Sequence, residues 1–133
     1  MKKKVNILKQ KSISKLKKEA DIAFSRYIRA RDKNICFTCG RKMEGNHSQC
    51  GHFVPRQYNS TRYNEKNCNC QCYACNMLYN GQPDIYALNL QKKYGEGIIR
   101  ELNVQGRKIK QWQPRELEEL KKLYEDKLKL LDE

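Results

Sequence analysis

The sequence predicts an α+β fold: a small core stapled by cysteines, with helices on either side. Three observations carry this reading. Two Cys-x-x-Cys pairs, Cys36–Cys39 and Cys72–Cys75, stand 33 residues apart. Apolar residues recur at three- and four-residue spacing on both flanks of that stretch, over 14–33 and 84–131. Between the pairs, short segments ended by Pro or Gly read as strands and turns.

Composition sets the bounds. A chain of 133 residues suggests one domain, here 13–133 behind a lysine-rich arm at 1–12 that lacks apolar periodicity. Only 38% of it is hydrophobic, with a mean hydropathy of -0.97. A core this thin needs a staple, and bound metal is a standard one. The net charge is +13. Residues 1–33 carry 12 basic against 3 acidic side chains, residues 34–113 carry 11 against 5, and residues 114–133 carry 5 against 7. Such a balance points to an anionic polymer met by the first two segments and not by the third. The opening MKKKVNILKQ has basic residues with no apolar run behind it, so a signal peptide is not expected, nor is a membrane span. A reducing, cytoplasmic setting follows, in which paired cysteines mean metal or redox chemistry rather than disulfides.

The first helix is expected from Ser14, a suitable N-cap, to about 32–34. Leu16, Ala20, Ala23, Phe24, Tyr27 and Ile28 form its apolar stripe, and Lys15, Lys18, Arg26 and Arg29 its basic face. Residues 35–42 read as a knuckle hairpin around Cys36 and Cys39, 49–54 as a strand ended by Pro55, and 56–66 as a loop with a second short strand near Tyr63. A helix is expected from Cys72 or Tyr73 to Asn80-Gly81, closing a core at about 35–81. Another opens at Pro83 and stops at Gly95. Residues 98–112 give no clear pattern beyond Ile98, Ile99 and Leu102. The last helix starts at Pro114, and Leu117, Leu120, Tyr124, Leu128 and Leu131 trace one stripe. That stripe would pack on its own core or join two copies in a homodimer.

Each Cys-x-x-Cys pair fits one knuckle, and two knuckles complete a tetrahedral shell of four thiolates around Zn²⁺. Cys36, Cys39, Cys72 and Cys75 are therefore the expected structural zinc ligands. Cys70 is a competing ligand, but only Cys72 forms a knuckle with Cys75. Cys50, Cys68 and Cys70 read as small apolar filling.

The stretch between the knuckles holds His52 after Gly51, then Asn67, and Asn76 directly after Cys75, with Asn80 one turn on. Hydrolysis of a phosphodiester needs a base to activate water and a cation to meet charge growing at phosphorus and the leaving oxygen. A histidine on a strand and an asparagine carbonyl on a facing helix can supply both, with Mg²⁺ or Mn²⁺ as the cation. Alone, His52 is an ordinary histidine and Asn76 an ordinary cap. Their place between two knuckles favours the sharper reading.

The order Cys-x-x-Cys, Gly-His, Asn, Cys-x-x-Cys-Asn resembles the HNH nuclease motif with its ββα-metal fold. By that resemblance His52 is the general base, Asn67 orients it and Asn76 binds the catalytic ion. More narrowly, residues 21–102 resemble the NinG (Rap) recombination proteins of lambdoid phages, through AFSRYIRARD, CFTCGRK, CGHFVPR, TRYNEKNCNCQC, ACN and the segment opening YALNLQKKYG. The resemblance implies a phage or prophage protein in the bacterial cytoplasm. It implies an endonuclease cutting branched recombination intermediates such as D-loops and Holliday junctions. Arg56 and Arg62 belong to the matching stretches and, with Arg26 and Arg29, are the expected DNA contacts. One position departs from the HNH pattern: Gly51 stands where many such enzymes have a metal-binding Asp. Two rival readings are a non-catalytic zinc-finger DNA-binding protein and an HNH nuclease for ordinary duplex DNA.

Overall fold

The structure is a computed structural model and describes residues 10–44 and 47–132; most of the expected basic arm at 1–12 lies outside them. Helix α1 runs Ile13–Arg31. Its cap is Ser12 rather than Ser14: Ser12 is extended, and its hydroxyl accepts from the Lys15 backbone N–H at 3.1 Å. A capping residue needs that non-helical backbone, and Ser14 lies already inside the first turn. The predicted stripe is buried, and α1 ends where Lys33 and Asn34 turn left-handed.

The knuckle at 35–42 is a hairpin pinned by one antiparallel bridge between Ile35 and Lys42, with Gly40 at φ 78° in its turn. Strand β1 (Ser48–His52) then pairs antiparallel with β2 (Cys68–Cys72), in the register Ser48↔Cys72 to His52↔Cys68. The second strand is therefore not near Tyr63. The segment 56–66 carries only a 3-10 turn at Asn59–Thr61. The sequence CNCQC hides β2 because Asn69 and Gln71 are polar yet fully buried, so no apolar–polar alternation marks it.

After β2 the chain makes a single π-helical turn, Ala74–Leu78, in place of the longer helix expected to Asn80-Gly81. Asn80 and Gly81 are left-handed and end it. Helices α2 (Pro83–Tyr94), α3 (Ile98–Gly106) and α4 (Pro114–Leu131) complete the order. The region without a clear pattern thus holds a helix, α3. The fold is a mixed α+β one, with a two-stranded sheet among helices.

Helix α4 lies along α1. Phe24 meets Tyr63 and Tyr124 edge-on, at centroid distances of 5.6 and 4.8 Å. Cys68 brings one face of the ribbon into that core. The other face carries Asn69, whose amide donates to the Tyr86 hydroxyl of α2 at 3.2 Å, while that hydroxyl donates to the Gly51 carbonyl at 2.7 Å. The end of α1 clamps β2. Arg31 donates to the carbonyls of Cys68 and Glu65, and Asp32 accepts from the Cys70 N–H at 2.8 Å. The first half of β2 is thereby fixed from the helix side.

Candidate functional site

Two candidate sites are built on this ribbon. At the Cys72 end, the sulfurs of Cys36, Cys39, Cys72 and Cys75 all lie within 4.8 Å of one another. Cys39 Sγ and Cys72 Sγ are 3.8 Å apart, close to the edge of a tetrahedron with Zn–S bonds of about 2.3 Å. The Cys39 N–H points at Cys36 Sγ and the Cys75 N–H at Cys72 Sγ, each at 3.4 Å. Such N–H···S contacts favour thiolates over thiols. This tetrad could hold a structural zinc ion. Cys70 is not in it: it packs against the four cysteines without belonging to the group whose sulfurs lie within mutual reach.

Along β1, from Ser48 to His52, runs a cleft of about 650 Å³ whose walls include Asp21, Cys50, His52, Arg56, Asn76 and Asn80. His52 ends β1, and its Nε2 is 2.9 Å from the Arg62 carbonyl oxygen. A carbonyl only accepts, so in the neutral ring Nε2 carries the proton and Nδ1 is left with a free lone pair. Burial holds the His52 pKa below the ordinary value. The Arg62 carbonyl pulls the other way, and the positive charge of Arg56 adds to the lowering. The ring is thus neutral at pH 7, the state a general base requires.

Asn76 enters the cleft from the π-helical turn. Its Nδ2 donates to Gln49 Oε1 at 2.7 Å, which aims the amide and leaves Oδ1 without a donor from Gln49. The fold therefore brings His52, Asn76, Asn80 and Arg56 together. It does not bring Asn67 onto the His52 ring. The Asn67 side chain is fully buried and bonds Val54 N–H at 2.8 Å, Val54 O at 3.0 Å and Thr61 O at 3.2 Å. It holds the loop that presents the Arg62 carbonyl, so its influence on His52 is indirect.

The arginines divide. Arg62 is not open to a phosphate: its fork binds Asp21 through Nε at 2.9 Å and Nη2 at 2.5 Å, and only 13% of its side chain is exposed. Arg56 is 63% exposed on the cleft wall, 4.0 Å from Asp21. Arg26 is exposed on α1. Arg29 is half-buried, with Nε on the carbonyl and hydroxyl of Ser25 at 3.2 Å.

Gly51 has a local explanation. A Cβ there would lie 1.9 Å from Gln71 Oε1, so a side chain at this position requires Gln71 to move. The Gln71 amide is held by Nε2 to Thr38 Oγ1 and to the Gly81 carbonyl, both at 3.0 Å, while Oε1 is buried without a partner. An oxygen without a donor thus occupies the space where a side chain at 51 would begin.

A family model described as Bacteriophage Lambda NinG protein matches residues 1–133. The chain belongs to the NinG family. Protein ninG of Escherichia phage lambda is 28% identical to it over 114 residues, 84% of this chain and 55% of that protein. The NinG-family chain therefore spans about half the length of that curated relative. No solved structure matches it. Among its described residues no helix is long and apolar enough to cross a membrane.

Three residues of this NinG-family site carried no motif. Gln49 was legible in part, since period-two alternation places it on the Gly51 face of β1. Asp21 is 41 residues from Arg62, and Gln71 sits inside a strand that itself had no pattern. The Arg62 carbonyl is backbone and leaves no trace in side-chain chemistry.

Proposed function

We propose that this NinG-family chain is a metal-dependent DNA endonuclease of the HNH type, with a zinc-filled Cys36/Cys39/Cys72/Cys75 tetrad and a ββα-metal core. The observation that carries the reading is His52: a half-buried, neutral imidazole held by a backbone carbonyl on the wall of a cleft that Asn76 and Arg56 also line. His52 Nδ1 accepts the proton of a water aligned on the scissile phosphate. The Arg62 carbonyl keeps the ring from turning away. Arg56 fixes a flanking phosphate through its planar fork, and the exposed basic face of α1, including Arg26, extends the path along the backbone. Arg29 adds charge beside it.

Asn76 Oδ1 and Asn80 would hold Mg²⁺ or Mn²⁺, with Gln71 Oε1 as the unpartnered oxygen beneath Gly51. Hard amide oxygens suit such ions. When bound, the ion supplies Lewis-acid stabilisation of the charge at phosphorus and on the leaving oxygen. Branched DNA as substrate, D-loops and Holliday junctions in particular, rests on family membership, as does action in the cytoplasm of a phage-infected bacterium.

The test is cleavage of labelled linear duplex, D-loop and four-way-junction DNA with and without Mg²⁺ or Mn²⁺. His52→Ala should cut more slowly by roughly 10²–10⁴, while its DNA affinity stays close to the parent's, because the binding charge lies elsewhere. A parent that binds but cuts nothing would favour a non-catalytic zinc-finger protein, a reading that the missing carboxylate at Gly51 makes specific. Equal cutting of linear and branched DNA would favour a duplex nuclease.

A further inference from the structure

Three residues outside the tetrad have metal-ligand chemistry and share one place. Cys50 and His52 alternate along β1 and so project from one face of the ribbon, and Cys68 lies directly across the ladder from His52. One ligand atom of each falls within 4.8 Å of the other two. That is the same mutual reach the tetrad shows. Cys70, across the ladder from Cys50, is not part of the group; its sulfur packs with the tetrad cysteines instead.

We propose that Cys50, His52 and Cys68 form a second metal site, selective for soft ions such as Zn²⁺, Cd²⁺ or Co²⁺. Two sulfurs and an imidazole nitrogen are the donors such ions prefer, whereas Mg²⁺ and Mn²⁺ prefer oxygens. Two thiolates and one divalent cation cancel in charge, so a bound ion adds no net charge to a half-buried site. Cys50 and His52 line the cleft and give the ion its way in, and Cys68, fully buried, closes the floor. Three protein donors leave a fourth position open toward the cleft, the arrangement of exchangeable sites; four thiolates make a closed, structural one. Binding releases the two thiol protons to solvent and is a simple ligand exchange with no redox step.

The consequence rests on the nuclease reading: an ion here engages a ring nitrogen of His52 and withdraws the base. Soft metal would then inhibit cleavage in competition with protons and thiols rather than with Mg²⁺. The binding claim needs no activity.

The experiment is metal titration of the whole chain. Protein that holds one zinc ion per chain is titrated with Co²⁺ or Cd²⁺ under reducing conditions, following thiolate-to-metal absorption, and total bound ions per chain are counted after desalting. Two equivalents are expected, the second binding more weakly and leaving first to a chelator. Cys50→Ala and His52→Ala should each keep the first equivalent and lose the second. They should weaken it beyond the roughly 10–100-fold that a mere supporting residue is worth. Retention of the first equivalent and of the parent's circular dichroism shows that the variants are folded. Saturation of the parent at one ion per chain overturns the proposal, as does a second ion that survives either substitution. A protein that binds two ions yet cuts no DNA would leave the site standing and remove the nuclease reading. A protein that cuts DNA and binds one ion would do the reverse.

Discussion

The two ends of the β1–β2 ribbon use the same chemistry to different effect. At the Cys72 end, four cysteines from two knuckles converge, three of them buried, and two N–H···S contacts fall within the knuckles. At the His52 end, two cysteines and a histidine converge on the wall of an open cleft, beside Asn76, Asp21 and Arg56. The strand between them is only five residues long. A closed shell ties chain segments together and contributes to folding, whereas an open one is available to solvent and ligands. Donor count and access separate the two groups.

The largest expected effect breaks the staple. Cys36→Ser or Cys75→Ser should abolish the folded state, because structural zinc of this kind is worth on the order of 10 kcal/mol. Loss of dispersed near-ultraviolet circular dichroism and of bound zinc would show it. Cys50→Ser, at the other end, should cost no more than about 1 kcal/mol. A folded Cys75→Ser protein would erase the distinction between the two ends.

Next come the packing and ion pair that shape the cleft. Gly51→Asp should destabilise by about 1–3 kcal/mol through overpacking. Gln71 is flexible, but moving it breaks its bonds to Thr38 and Gly81. Adding Gln71→Ala should recover part of the loss in a thermal melt. Arg62→Ala should cost about 1–3 kcal/mol by leaving Asp21, with 19% of its side chain exposed, short of its main partner. Arg56→Ala should leave the melting temperature nearly unchanged and flatten the log–log salt dependence of DNA affinity by about one unit. If Arg62→Ala behaves like Arg56→Ala, the Asp21 pair is not what holds the loop.

The smallest effect is titration. Burial lowers the His52 pKa, so between the folded and unfolded values the unfolded chain binds more protons. Its contribution to stability is present above about 6.5 and is lost as pH falls below that value. The acid limb of cleavage should accordingly lie below about 6.5. The groups that set it are the Arg62 carbonyl, Arg56, Asp21 and the Arg62 guanidinium. A rate profile with its acid limb well above 6.5 would place the base in another environment.

The sequence by itself determined the tetrad and the helix after Pro114, placed a strand at 49–54 where the structure has Ser48–His52, and nominated His52 and Asn76 as a pair. Each is local, or rests on a spacing that survives in one dimension: Cys-x-x-Cys twice, an apolar stripe, a Gly-His in a short strand. Charge gave the polyanion as expected partner for the same reason, since it sums without regard to folding. Tertiary structure alone decided β2, whose buried Asn69 and Gln71 erase the alternation that marks a strand, and the cap at Ser12 over Ser14. It alone turned Arg62 inward to Asp21 and Asn67 away from His52, and it set a backbone carbonyl against the His52 ring. It alone brought Cys50 and Cys68 beside His52. These are contacts between residues tens of positions apart, or made by atoms every residue possesses, and neither leaves a signature in the order of side chains.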